Sequence, residues 1–290
     1  MPSNNYQLTH EQLTQLMGLA NRCKQQDGNT VPIYSDLLLR RRNLPSNLLY
    51  YQKQQLIGFL SVFFFYDDAC EVILMVDPHW RRQHIAKQLI STIMPVIHTR
   101  GLSQIFFASP KGLNDAWLKQ QGFVYRNSEI QMQWNTSCNM KPPPSEVSFY
   151  QPSKDEEIPT LVNIDMACFN TEKTEMENRF HRLLRDDTYQ LFIICYKNEP
   201  IGKAHLHREE GQFQLSDIAI LPHVQGKGFG QALVEHCIQY AKTINALPLR
   251  LCVESTNQTA LNLYQKLGFE TMNAWDFWII STDTPPFLGY

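Results

Sequence analysis

Apolar positions along this chain follow two rhythms, and the same order of rhythms occurs twice. In the first half, residues 57–65 and 72–76 are nearly continuous apolar runs of strand length, 85–97 carries apolar residues at helical spacing, and 105–108 is again strand-like. In the second half, 215–220 ends as an apolar strand, and Leu233, Val234, Cys237, Ile238 and Ala241 then cover one face of a helix. Residues 249–253 form a short strand after Pro248, and Ala260, Leu261, Leu263, Tyr264 and Leu267 mark a last helix with Gly268 at its C-cap. Each half therefore predicts an α/β fold.

The two halves share a register as well as a rhythm. Gly58 and Gly202, Pro78 and Pro222, and Ala86 and Gly230 all stand 144 residues apart, while Gly122-Phe123 and Gly268-Phe269 stand 146 apart. A drift of two residues belongs in a loop, so the pattern predicts an internal repeat. Between the halves, 135–146 breaks both periodicities and holds three consecutive prolines, which favour an extended segment. The predicted organisation is a domain over 1–137, a Pro-rich linker over 138–145, a second domain over 146–283 and a tail over 284–290. At 290 residues and 43% hydrophobic content the chain is long enough for two cores.

Charge narrows the partners. Lys+Arg 26 against Asp+Glu 28 leaves a formal charge of −2, so no global field favours nucleic acid or an anionic membrane. The run Arg40, Arg41, Arg42 reads as a solvated face. Seven scattered cysteines without a Cys-x-x-Cys pair point to a reducing compartment. No N-terminal signal pattern is visible, and the most apolar run, 56–65, is far too short to span a bilayer, so a cytoplasmic protein without a membrane partner is expected.

The candidate chemistry lies where the strand ending at Ile220 runs through Gln225, Gly226, Lys227, Gly228, Phe229 and Gly230 into a helix. A helix N-terminus leaves backbone N–H groups unpaired and adds partial positive charge, and glycines let a phosphate approach the chain closely. Neither Gly-x-Gly-x-x-Gly nor a P-loop Gly-Lys-Ser/Thr spacing is present. The first half carries Arg82, His84 and Ala86 in place of Gly226, Gly228 and Gly230, and Leu118 in place of Tyr264. His84 is expected to block a cradle there or to force a new backbone path. The first half is accordingly expected to be non-catalytic and to serve a structural role.

From Leu221 to Gly230, and then from Asn257 through Tyr264 to Gly268-Phe269, the second half resembles the GNAT superfamily of acetyl-CoA-dependent N-acetyltransferases. The resemblance rests on a Gln/Arg-x-x-Gly-x-Gly/Ala loop followed by an Asn…Tyr-x-x-x-Gly-Phe motif, and it covers about 200–270. It implies two tandem GNAT-like domains, each a mixed sheet flanked by helices, with a degenerate first copy and a second similar to ribosomal-protein alanine N-acetyltransferases. By the same resemblance, Ile218, Ala219 and Ile220 would contact the pantetheine arm and thioester of acetyl-CoA. The amides from Gly226 to Gln231, with Gln225 and Lys227 in the same loop, would hold its pyrophosphate, and Asn257 would also contact it. Tyr264 would protonate the departing thiolate.

An amine that attacks a thioester must lose a proton, and Glu254, on the same strand face as Cys252, is the first candidate base. Asp217 and a water relay remain alternatives. His205 and His207 have the spacing of a partial metal site, but no further ligand stands nearby in sequence, and no metal is expected. The acceptor, a small molecule or a protein amine, is not specified by any motif. A non-catalytic acyl-CoA sensor or interaction scaffold is the rival reading, in which the same loop binds CoA and no base serves an acceptor.

Overall fold

The computed structural model describes residues 2–135, 142–169, 173–209 and 212–282. Part of the expected linker, 138–141, and the expected tail, 284–290, lie outside these residues. In chain order the first elements are β1 (Ser3–Asn5), α1 (His10–Asp27), α2 (Ser35–Leu39), β2 (Asn47–Gln52), β3 (Gln55–Phe63) and β4 (Ala69–Val76). They continue with α3 (Ile85–His98), β5 (Gln104–Pro110), α4 (Asp115–Gln120) and β6 (Val124–Trp134). The second series is β7 (Val147–Tyr150), α5 (Ile158–Cys168), α6 (Lys173–Leu183), β8 (Tyr189–Tyr196), β9 (Glu199–Glu209) and β10 (Gln212–Ile220). It closes with α7 (Phe229–Thr243), β11 (Leu249–Glu254), α8 (Gln258–Lys266) and β12 (Phe269–Ser281). Every strand and helix anticipated from the apolar pattern is present, and none of the described helices is long and apolar enough to cross a membrane.

The chain divides into two compact units, and they are not simply its two halves. The first comprises Met1–Ile130, Glu254–Asn257 and Thr271–Tyr290; the second comprises Gln131–Val253 and Gln258–Glu270. Strands β6 and β12 each contribute residues to both. A sequence repeat alone does not reveal this division, because strand pairing joins residues far apart in the chain.

In the first unit the strand order is β1-β2-β3-β4-β5-β12, with β4 and β5 parallel and the other paired neighbours antiparallel. Strand β3 is buried on both faces, as a strand covered by helices on each side must be. Ile57, Leu60 and Val62 join the cluster with Ile85, Leu89 and Ile93 of α3, while Leu56, Phe59 and Phe63 join Leu16 and Leu19 of α1. Helix α1 starts at a capping box in which Thr9 and Gln12 bond each other's backbone amides.

In the second unit the order is β7-β8-β9-β10-β11, again with one parallel pair, β10 and β11. Ile158, Leu161, Met176 and Phe180 of α5 and α6 pack on Leu191, Ile193 and Cys195 of β8. Helix α7 buries Leu233, Val234, Cys237, Ile238 and Ala241, the face its spacing anticipated.

The repeat glycines have a packing reason in both units. A Cβ at Gly58 would lie 2.8 Å from Ile85 Cγ2 and 3.2 Å from Leu89 Cδ1 of α3. A Cβ at Gly202 would lie 2.5 Å from Ile220 Cδ1 and would clash with the Ala219 carbonyl of β10. Gly122 and Gly268 take φ of 85° and 90° at the ends of α4 and α8, and Phe123 and Phe269 after them are buried.

Candidate active site

The site is made by two parallel strands that part company. Pairing between β10 and β11 is confined to Phe213 with Leu249 and Gln214 with Arg250. Beyond these, Ile218, Ala219 and Ile220 have no strand partner on the β11 side among the described residues, so their backbone edge is left open there. On its other side β10 pairs with β9, but the ladder slips between Ser216 and Ala219, where Asp217 sits at φ 48°. A bulge of this kind bends the strand and frees backbone groups from the ladder.

The chain leaves β10 through a short 3₁₀ turn, Pro222–Val224, and enters α7 at Phe229. Gly226 and Gly228 adopt φ of 76° and 86°, and a Cβ at either would meet no atom within 4 Å. The first helical bond is Ala232 N to Gly228 O at 3.1 Å. None of the amides from Gly226 to Gln231 donates to an acceptor among the described residues. The result is an open, glycine-walled row of N–H groups at a helix N-terminus, a place built for an anion. Its residues fit a CoA pyrophosphate.

Individual members of the predicted set play distinct parts. Gln225 turns its side-chain amide back to Ile220 O at 2.8 Å, and its own N–H bonds Pro222 O at 3.3 Å, so it fixes the loop. Phe229 is buried with its ring 5.1 Å from that of Tyr196, leaving only its backbone to a ligand. Gln231 is held between Glu235 and Lys266 through its side chain. Lys227 is exposed. Tyr264 on α8 is 7% exposed, with its ring edge-on to Phe269 at 5.8 Å. Its hydroxyl has no hydrogen-bond partner among the described residues, and burial pushes its pKa up to about 12.

Two predicted residues group elsewhere. Glu254 and Asn257 cluster with the first unit. Alternation along β11 buries Leu251 and Val253 and exposes Cys252 and Glu254, as the shared face of the latter two requires. Glu254 accepts from Asn127 Nδ2 at 2.9 Å and from Thr256 Oγ1 at 3.3 Å. The Asn257 amide bonds Glu254 O at 3.0 Å.

A buried polar network that sequence reasoning did not find lies on the bulge side of β10. Lys203 Nζ is 2.8 Å from Asp165 Oδ1 and 3.2 Å from His205 Nε2, with all three residues at most 1% exposed. His205 Nδ1 is 3.4 Å from Asp217 Oδ2, and Arg179 of α6 bonds both Asp217 oxygens. Burial opposes ionisation of Asp217, yet His205, Lys203 and Arg179 together hold its carboxyl far below the usual range. Burial, with Lys203 beside it, lowers His205 to about 4, so it is neutral near pH 7. The network's trace in the sequence was the spacing of His205 and His207, that of a partial metal site for which no further ligand stood nearby and no metal was expected. His205 instead meets Phe180 edge-on at 6.0 Å, and His207 stacks on Tyr189 at 5.0 Å. Among the described residues no group of three His, Cys, Asp or Glu could hold a metal ion.

Of the two outcomes expected for the corresponding loop of the first unit, a new backbone path is not found. Arg82 and His84 adopt φ of 60° and 61°, and His84 heads α3 with ψ 11°, close to the φ 86° and ψ −1° of Gly228. The first helical bond there is Gln88 N to His84 O at 3.0 Å, the counterpart of Ala232 to Gly228. The backbone path is kept rather than rerouted, at a cost of order 1 kcal/mol for each left-handed non-glycine residue. What differs is that side chains now stand where glycine leaves space. Parting of β4 and β5 beyond Ile73 and Ala108 also leaves a cleft of about 580 Å³ beside Val76, Arg82 and Trp117.

Comparison with known proteins agrees with this geometry. The Acetyltransferase (GNAT) family model matches residues 13–123 and 158–269. Spermidine N(1)-acetyltransferase of Escherichia coli (strain K12) is 29% identical over 102 residues, 33% of this chain and 53% of that protein, so the chain spans about half the length of that relative. A putative [ribosomal protein bS18]-alanine N-acetyltransferase of Bacillus subtilis (strain 168) is 25% identical over 115 residues, 40% of this chain and 76% of the relative. Among solved structures, a tandem GNAT protein from the clavulanic acid biosynthesis pathway superposes with a TM-score of 0.72, covering 98% of each chain at 12% identity. At that identity the likeness concerns the fold.

Proposed function

The chain belongs to the acetyltransferase (GNAT) family, and from that premise we propose that its second unit moves an acetyl group from acetyl-CoA to a primary amine. The observation that carries this reading is the row of free amides from Gly226 to Gln231, opening beside the unpaired edge of Ile218, Ala219 and Ile220. These amides and the positive end of α7 would hold the pyrophosphate, since a diphosphate needs donors and the loop offers a row of unpaired N–H groups. The open edge of β10 would bind the amide-rich pantetheine arm as a neighbouring strand would. Backbone N–H groups freed at the bulge would face the oxygen that gains charge when the thioester is attacked.

Tyr264 is assigned the general acid. Burial keeps it protonated throughout the neutral range, and its hydroxyl is not committed to another residue. A thiolate of ordinary pKa about 8.5 leaves more readily with such a donor beside it. Glu254 is assigned the base, because its carboxylate is exposed and free of any cationic partner among the described residues. Asp217 is a poor base by contrast, since its oxygens already serve Arg179 and His205. Asn257 is assigned a cofactor contact through the family motif alone.

The test is a screen of amine acceptors that reports free CoA thiol, run on wild type beside Gly228→His. Turnover with at least one amine, lost in the variant together with acetyl-CoA affinity, is expected. Turnover retained by Gly228→His would overturn the cradle assignment. Tight CoA binding without turnover of any amine would instead favour the acyl-CoA sensor.

A further inference from the structure

The first unit repeats the parting of two parallel strands and surrounds it with different side chains. Strands β4 and β5 pair as far as Ile73 and Ala108, and Pro110, two residues on, has no N–H with which to continue the ladder. The cleft this opens, of about 580 Å³, lies within the roughly 300–1,000 Å³ of small-molecule sites. Leu74, Val76, Ala86, Phe107, Leu113 and Trp117 give it apolar walls. Leu113 and Trp117 are 42% and 43% exposed, so the apolar wall reaches the surface.

The charges on this lining cancel, with one exception. Arg81 gives two nitrogens to the Asp27 carboxylate, at 2.7 and 2.5 Å, and a third to Val76 O at 3.1 Å. The Cys23 thiol donates to the same carbonyl at 3.5 Å, and the Thr30 hydroxyl donates to the Met75 sulfur at 3.6 Å. Asn114 gives its amide nitrogen to Ser109 Oγ at 3.0 Å and keeps only a neutral carbonyl oxygen. Arg82, exposed at φ 60°, has neither a hydrogen bond nor an ion pair among the described residues. It occupies the position that Gly226 holds in the second unit. The replacement that puts a side chain over the loop therefore also puts one unneutralised cation beside an apolar cleft.

We propose that this cleft binds a small amphipathic carboxylate, its two oxygens on Arg82 and its apolar body along Leu74, Ala86, Leu113 and Trp117. A guanidinium presents a fork of N–H groups that matches the two oxygens of one carboxylate. A diphosphate needs close approach to a row of amides, and the side chains of Arg82 and His84 stand in its way. A phosphate monoester brings nearly two charges where only one is open. A cation finds no open acid on the lining among the described residues, since Asp27 is fully engaged by Arg81. The site uses no residue of the second unit, so it stands whether or not the acetyl-transfer reading does.

The experiment is calorimetric titration of the full chain, without acetyl-CoA, by octanoate. 1-Octanol carries the same apolar body without charge, and octylammonium carries it with the opposite charge. One-to-one binding of octanoate is expected, with at least tenfold weaker binding of both controls. Arg82→Gln, on an exposed side chain that the fold does not use, is expected to weaken octanoate at least tenfold and to leave octanol unchanged. Arg82→Lys, which keeps the charge without the fork, is expected to fall between wild type and Arg82→Gln. Leu113→Asn, on the exposed rim, is expected to weaken octanoate and octanol alike. CoA added to Gly228→His is expected not to displace octanoate. Absence of octanoate binding, a control bound as tightly, affinity unchanged in Arg82→Gln or in Leu113→Asn, or displacement by CoA would each overturn the proposal.

Discussion

Arg179 Nη2 lies 2.8 Å from one oxygen of Asp217 and 2.9 Å from the other, tying helix α6 to the bulge of β10. The bulge places Asp217 at φ 48°, a conformation that Asp and Asn tolerate better than most residues. A carboxylate so occupied positions the strand and is not free to take a proton from an amine. Asp217→Asn is therefore expected to keep kcat within a few fold of wild type, whereas Glu254→Gln lowers kcat by about 10²-fold. Thiol-release assays on the two variants side by side check the order, and a reversed order would move the base to Asp217.

Acid should loosen the same network, with a sign fixed by its histidine. His205 titrates near 6.5 in an unfolded chain and near 4 in the fold. The unfolded state thus binds more protons between those values, so stability is full above pH 6.5 and falls as pH drops toward 4. Asp217, held below its usual range, adds a further loss at more acidic pH. His205→Gln is expected to flatten the decline between pH 6.5 and 4 by on the order of 2 kcal/mol. Urea midpoints across that range measure it, and equal slopes in wild type and variant would count against this origin.

Lys203 and Asp165 are 0% and 1% exposed, and burial raises the carboxyl and lowers the ammonium despite their attraction. Desolvation thus opposes much of the gain from pairing, yet removing one partner strands the other in the core. Asp165→Ala is expected to destabilise the second unit by about 3–5 kcal/mol, and Asp165→Ala with Lys203→Met together by clearly less. Denaturant unfolding of both variants checks the coupling.

Much of this was legible in the chain because periodicity reports burial directly. The face of α7 and the strands around it follow from apolar spacing, and the glycine loop follows from the need for positive φ at 226 and 228. The division of β6 and β12 between the two units was not legible, since the pairing partners of a strand are long-range. The Lys203 network escaped for a related reason: its members come from α5, α6, β9 and β10, and only Lys203 and His205 are neighbours in sequence. His84 left two outcomes open, a blocked cradle or a new path, and the surrounding strand and helix hold the original path at modest strain.

Tyr264→Phe removes the candidate acid without touching the ring packing against Phe269. A fall in kcat of about 10²–10³-fold with little change in KM for acetyl-CoA is expected. Because burial keeps the wild-type hydroxyl protonated up to about pH 12, the variant should lose rate evenly across pH 6–9 rather than reshape the profile. A pH-dependent loss, or none, would reassign Tyr264 to packing.

The two loops invite an exchange of their distinguishing residues. Gly228 has open space at its missing Cβ and φ 86°, and His84 sustains nearly the same backbone in the first unit. Space therefore does not forbid a side chain at 228; strain and obstruction of the amide row are the two penalties. Gly228→Ala should isolate the first, destabilising by about 1 kcal/mol with a small Cβ, and Gly228→His should add the second. Conversely His84→Gly relieves strain, with a gain of up to about 1 kcal/mol partly offset by the freedom glycine has when unfolded. Melting curves separate these stability terms. Acetyl-CoA titration separates obstruction, since binding weakened far more by His than by Ala means that the side chain itself blocks the cradle, and equal weakening means that strain alone disturbs it.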